Sequence, residues 1–142
     1  MDTYTVEFRM EGLELQPFEI TETLGLVPCQ TIEANKHINK RNLNALWAYD
    51  GVYFEDNSPS YEWKNLEEGL LFVLDKLEGK LQLIESDFFM YKRYFWCASF
   101  QESFDGGVSL SPNLLKKLAD FNSELIISNY HSEDIKTKGI DL

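Results

Sequence analysis

The sequence predicts an α+β domain of ferredoxin-like layout: two strand–helix–strand units forming a four-stranded antiparallel or mixed sheet, with helices packed on one face and a long helix between the units. Three observations lead there. The chain opens on a clean alternation, with Tyr4, Val6, Phe8 and Met10 on one side and Thr3, Thr5, Glu7 and Arg9 on the other, as a strand with one buried face requires. A glycine followed five positions later by a helix-starting proline occurs twice, at Gly12 to Pro17 and at Gly107 to Pro112. Between the two lies the strongest helical pattern in the chain, Trp63, Leu66, Leu70, Val73, Leu74 and Leu77.

The elements follow in order. After the first strand, Pro17 starts a helix of about two turns carrying Phe18, Ile20 and Leu24, and Gly25 ends it. Leu26 to Asn44 has no sustained period and reads as a loop, polar and basic from Asn35 to Asn42. Leu46 to Glu55 is aromatic and β-branched, a strand interrupted by a bulge or turn at Asp50-Gly51. Ser58 or Ser60 is placed to cap the long helix, which Gly79 closes. Leu81, Ile84 and Phe88 suggest a short helix before an aromatic strand from Met90 to Phe100. Ser111 and Pro112 then cap and start a helix with Leu114, Leu115, Leu118 and Phe121 as its apolar positions, and Leu125 to Tyr130 is the last strand. The tail beyond Ser132 is polar and is expected to fray.

The 142 residues suit one domain, with units at about 3–55 and 90–131 and a helical insert at about 60–89. A hydrophobic content of 44% is ample for a core. No apolar run approaches the roughly 20 residues that span a bilayer, and the first ten residues lack the pattern of a secretory signal, so a cytoplasmic location is expected. Cys29 and Cys97 read as two free thiols. The formal net charge of −11 would repel nucleic acid and anionic membranes and would speed encounter with a basic protein.

In its opening strand, in Gly12-Leu-Glu-Leu-Gln-Pro-Phe-Glu-Ile-Thr-Glu-Thr-Leu-Gly-Leu-Val-Pro28, in Leu46-Trp47, in the leucine-rich helix and in Val108-Ser-Leu-Ser-Pro-Asn-Leu-Leu-Lys-Lys-Leu118, the chain resembles a bacterial family of small proteins known as domain of unknown function 4279. The resemblance covers most of the chain. It implies the fold and no particular chemistry, because the matching motifs are turn and cap residues. Between Pro28 and Leu46, where that family carries glycine and arginine, this chain has no glycine.

The residues themselves offer little chemistry. The two histidines, His37 and His131, come with no nucleophile motif, no metal-ligand spacing is present, and neighbouring acids such as Glu67-Glu68 fit a solvated helix face. No catalytic residue, cofactor or metal is assigned. The strand around Tyr94, Trp96 and Phe100 is apolar on both sides, with Phe95 and Cys97 opposite, which fits either a strand covered on both faces or an available recognition surface. Lys36, His37, Lys40 and Arg41 form a basic loop and a second candidate contact region. The leading expectation is a non-catalytic module that binds a basic protein, for example an immunity protein neutralising a toxin. The alternative is a small-molecule site or enzyme with an aromatic pocket between sheet and helices, lined by Trp47, Trp63 and Trp96.

Overall fold

A computed structural model describes residues 2–34, 44–52, 61–102 and 107–131. The expected α+β class holds and the sheet is mixed, one of the two expected alternatives; the correction is that it has five strands in place of the four-stranded ferredoxin-like layout. Its strands are β1 (Thr3–Gly12), β2 (Gln30–Ile32), β3 (Ala45–Tyr49), β4 (Lys92–Gln101) and β5 (Glu124–His131), in spatial order β2-β3-β1-β4-β5. The additional strand, β2, falls within the stretch expected to be a loop. Three residues are too few to show a period, so only its antiparallel pairing with β3 reveals it. β1 is the centre, antiparallel to both β3 and β4, and β5 runs parallel to β4.

The helices are α1 (Pro17–Leu24), α2 (Leu66–Leu77), α3 (Leu81–Asp87), joined to α2 by the 3-10 turn Glu78–Lys80, and α4 (Pro112–Asp120). Pro17 and Pro112 stand in the first turns of α1 and α4, and Gly25 closes α1 in the left-handed conformation, φ 66°. The Ser111 hydroxyl accepts from the Leu114 amide at 3.2 Å, whereas Gln16 at the start of α1 makes no side-chain cap. The glycines of the two matching turns meet different demands: a Cβ on Gly12 would stand 2.7 Å from the Tyr91 ring, and one on Gly107 would meet nothing within 4 Å.

The start of α2 also differs from expectation. Trp63 lies outside the helix, exchanging backbone hydrogen bonds with Tyr4 of β1 at 2.6 and 2.8 Å. The cap is Asn65, whose side chain accepts from Glu68 N–H at 3.0 Å; Ser58 and Ser60 lie outside the described residues, as does the tail from Ser132. The Asn65-Leu-Glu-Glu68 spacing is a capping signature that sequence alone could have shown.

All four helices pack against the same side of the sheet. The core there joins Tyr4, Val6, Phe8 and Met10 of β1 with Trp47, Phe95 and Cys97 and with Ile20, Leu24, Leu70, Val73, Leu77, Ile84, Leu114 and Phe121 from the helices. Phe8, Phe95 and Phe121 meet pairwise with ring centroids 5.2 to 5.8 Å apart, contacts worth about 0.5–1.5 kcal/mol each beyond the area they bury. Gly69 lets α2 approach β1 closely, since a Cβ there would stand 2.9 Å from both Trp63 and Val6.

Candidate functional site

Strand alternation fixes what the opposite side of the sheet carries. The pairings Glu7↔Trp96, Arg9↔Tyr94, Thr5↔Ala98 and Thr3↔Phe100 place those eight residues on the side away from the helices, and Trp96↔Ile126, Ala98↔Ser128 and Phe100↔Tyr130 extend the same side onto β5. Arg9↔Ala48 and Glu11↔Leu46 extend it onto β3. No described helix packs on this face.

Its chemistry is aromatic and acidic. Phe100 and Tyr130 stack at 5.5 Å. The Arg9 guanidinium lies 4.1 Å from the Trp96 ring centroid while its Nε donates to Glu7 Oε1 at 2.9 Å. A cation over a tryptophan contributes about 0.5–2 kcal/mol according to how dry the pair is, and here both charged side chains are largely buried. Arg9 therefore holds one side of Trp96 and fixes the ring. Lys92 stands 3.9 Å from both Glu11 and Glu124, exposed contacts of little energetic weight.

At the β3 end the balance of charge tips to acid. Asp50, one residue past the Phe8↔Tyr49 pair, accepts from the Val52 amide at 2.9 Å, and Gly51 turns there with φ 76°. Burial raises the Asp50 carboxyl above its ordinary range and the charge of Glu7 adds to it, while the Val52 hydrogen bond opposes both. Cys29, whose amide donates to the Ala48 carbonyl at 2.8 Å, is close by. Lost solvation, then Glu7 and Asp50, push its thiol upward, although the residue as a whole is exposed. Burial, then Glu7, push the Cys97 thiol up to about 12. Both cysteines are free, and neither has the lowered pKa of a nucleophilic thiol.

The sequence candidates separate into three places. Tyr94, Trp96 and Phe100 share the helix-free face. Trp47 is wholly buried under α1, donating from Nε1 to Thr21 Oγ1 at 3.1 Å. Trp63 is wedged between α2 and β1, with Tyr61 and Phe72 ring centroids 4.7 and 5.2 Å away. The three tryptophans thus do not line one pocket. Lys36, His37, Lys40 and Arg41 lie outside the described residues. Ile126 and Tyr130, not among the candidates drawn from the sequence, join the face because β5 pairs in parallel with β4; Leu125-Ile-Ile-Ser-Asn-Tyr130 does not alternate, so the strand itself gave no signal of which side they take.

A cleft of about 160 Å³ opens on the helix side between α2 and α4, lined by Leu74, Leu81 and Phe121 and by the charged Asp75, Glu78, Lys117 and Asp120. Among the described residues no group of three or more metal-ligating side chains comes together, and no helix is long and apolar enough to cross a membrane.

The face and fold together describe a sheet-based α+β domain with one side packed by helices and the other bearing aromatic and acidic groups. The chain belongs to the family described as Domain of unknown function (DUF4279), whose model matches residues 2–132. No curated protein and no solved structure matches it.

Proposed function

We propose that this chain is a non-catalytic binding module that docks a basic protein on the helix-free face of its sheet, as an immunity protein masking a basic toxin would. The observation that carries the reading is the composition of that face: half-buried Trp96, Phe100, Ile126 and Tyr130 in one patch, with the accessible carboxylates of Glu11 and Glu124 at its border, Glu7 being buried against Arg9. Aromatic side chains supply large contact area at low entropic cost and are concentrated among binding hot spots. Carboxylates around them select lysine and arginine, and a net charge of −11 accelerates encounter with a basic partner. The small-molecule alternative draws less support, because Trp47 is enclosed in the core and the cleft between α2 and α4 is lined by no aromatic residue besides Phe121.

The test uses basic proteins encoded beside this chain in its source genome, titrated calorimetrically against the intact protein at low and high salt. One of them should bind, more weakly as salt rises, and Trp96→Ala or Phe100→Ala should each weaken it tenfold or more without altering the fold. Absence of binding to any of them, or binding indifferent to both substitutions, refutes the proposal.

A further inference from the structure

α2 and α4 run side by side in one direction. The Glu67 carboxylate, in the first turn of α2, accepts from the Ser111 amide just before α4 at 2.6 Å, which ties the two starting ends together. Their last turns face each other across the cleft of about 160 Å³. Of the residues that line it, Leu74 and Phe121 are buried and Leu81 is half-buried, whereas Asp75, Glu78, Lys117 and Asp120 are exposed. The cleft is thus apolar where it is deep and charged where it meets water.

Two independent features make it attract positive charge. The first is the balance of side chains, three carboxylates against one ammonium. Asp75 and Glu78, three positions apart, share a side of α2, and Asp120 stands on α4 across from them. The second is the backbone. The carbonyl ends of two helices that run the same way bring partial negative charge to one place, and Asp75 and Asp120 lie in those last turns. An acid there opposes the helix dipole, so neither residue is placed for the stability of its helix.

Nor do these charges neutralise one another. Among the described residues Asp75, Glu78, Lys117 and Asp120 make no ion pair and no side-chain hydrogen bond, although they border the same cleft. A second positive group entering the cleft would find three carboxylates without a partner.

We propose that this cleft binds a free organic cation, an ammonium group carried on an apolar body the size of one ring. The size follows from the volume: about 150 Å³ holds a benzene ring, whereas sites for drug-sized ligands and cofactors begin near about 300 Å³. The charge follows from the carboxylates and the helix ends, which repel phosphates and carboxylic acids. Leu74, Leu81 and Phe121 take the apolar body out of water, and Asp75, Glu78 and Asp120 face the ammonium. A divalent metal ion is a poor occupant, because among the described residues no three metal-ligating side chains come together, and the hydrocarbon walls offer it no oxygen. The cleft lies on the helix side of the sheet, away from the face proposed for protein docking, and either assignment can fail without the other.

The experiment titrates the full chain with benzylamine and follows the backbone amide resonances of a nitrogen-15-labelled sample. The amides of Leu74, Glu78, Leu81 and Phe121 should shift together and saturate in the millimolar range that so small a ligand reaches. Benzyl alcohol and benzoate, which keep the ring and remove or reverse the charge, should bind about tenfold more weakly or not at all. A unit charge about 5 Å away through water changes an affinity about fourfold. Asp75→Asn and Asp120→Asn should therefore each weaken benzylamine by about that factor, and Lys117→Gln should tighten it by as much, with circular dichroism unchanged because all three positions are exposed. A lysine acetylated on its α-amine and amidated on its carboxyl should bind no more tightly than benzylamine. The inference is overturned if the shifts are absent or unsaturable, if benzyl alcohol or benzoate binds as well as the amine, or if neither Asp120→Asn nor Lys117→Gln alters the affinity. Much tighter binding of the blocked lysine overturns the free ligand and makes the cleft a socket for a protein side chain.

Discussion

Gly69→Ala tests the contact that decides which side of the sheet is closed. Replacing glycine by alanine inside a helix ordinarily stabilises by about 1 kcal/mol. At this position the new Cβ would stand 2.9 Å from Trp63 Cγ and Cδ1 and from Val6 Cγ2, where carbon pairs prefer about 3.5–4.0 Å. Neither neighbour yields easily. Trp63 is held through its backbone to Tyr4 and lies between Tyr61 and Phe72, and Val6 sits in the central strand. Forcing an extra methyl into such packing costs about 1–3 kcal/mol, so the net effect is a loss of about 1 kcal/mol. Gly79→Ala is the internal control: nothing lies within 4 Å of its Cβ and its φ is not positive. It should gain about 0.4–1 kcal/mol through the unfolded state. The two substitutions, chemically identical, should thus separate by about 2 kcal/mol in urea unfolding, or about 4–8 °C in melting temperature for a chain of this size. A Gly69→Ala protein as stable as Gly79→Ala would show that α2 does not press on β1 as described.

Two further outcomes are expected. Asp50→Asn keeps an oxygen for the Val52 amide and removes a charge that burial and Glu7 disfavour, so it should stabilise by up to about 1 kcal/mol near neutral pH. The native carboxyl titrates above its ordinary value of 3.8, so its ionisation opposes folding only above that pH. The advantage of Asp50→Asn should therefore grow as pH rises through the native titration and vanish below the ordinary value; an advantage that persists in acid refutes the assignment. Ser111→Ala removes the acceptor for Leu114 N–H but leaves the Ser111 backbone N–H that donates to Glu67 Oε1 at 2.6 Å. It should cost about 1 kcal/mol in chemical denaturation, and a loss under about 0.3 kcal/mol would show that the cap contributes nothing.

The parts of the fold legible in the sequence are those where local chemistry and tertiary context agree. β1 shows its alternation, and α4 announces itself through Ser111 and Pro112, because each signal arises within its own segment. Trp63 misleads for a physical reason: its spacing from Leu66 and Leu70 imitates a helical stripe, yet its backbone is committed to Tyr4 and Asn65 caps the helix behind it. β2 has no local signal because three residues cannot carry a period, and its structure comes from β3.

The candidate face shows more sharply where sequence reading stops. Alternation sorts Tyr94, Trp96 and Phe100 from Phe95 and Cys97, but both sets are apolar, and nothing within the strand says which of them the helices cover. Trp96 gains its chemical character from Glu7 and Arg9, some ninety positions earlier, through the single register Glu7↔Trp96. A slip of one residue would send Trp96 into the helix layer and bring Phe95 out beside those charges. The core discriminates between the two arrangements: Phe95 fits against Phe8 and Phe121, a place in which the indole of Trp96 would have to leave its N–H without water. The packing of the closed side thus determines which aromatic side chain the other side carries, and a substitution that loosens Phe8, Phe95 or Phe121 should disturb the arrangement of Trp96 on the helix-free face as well as stability.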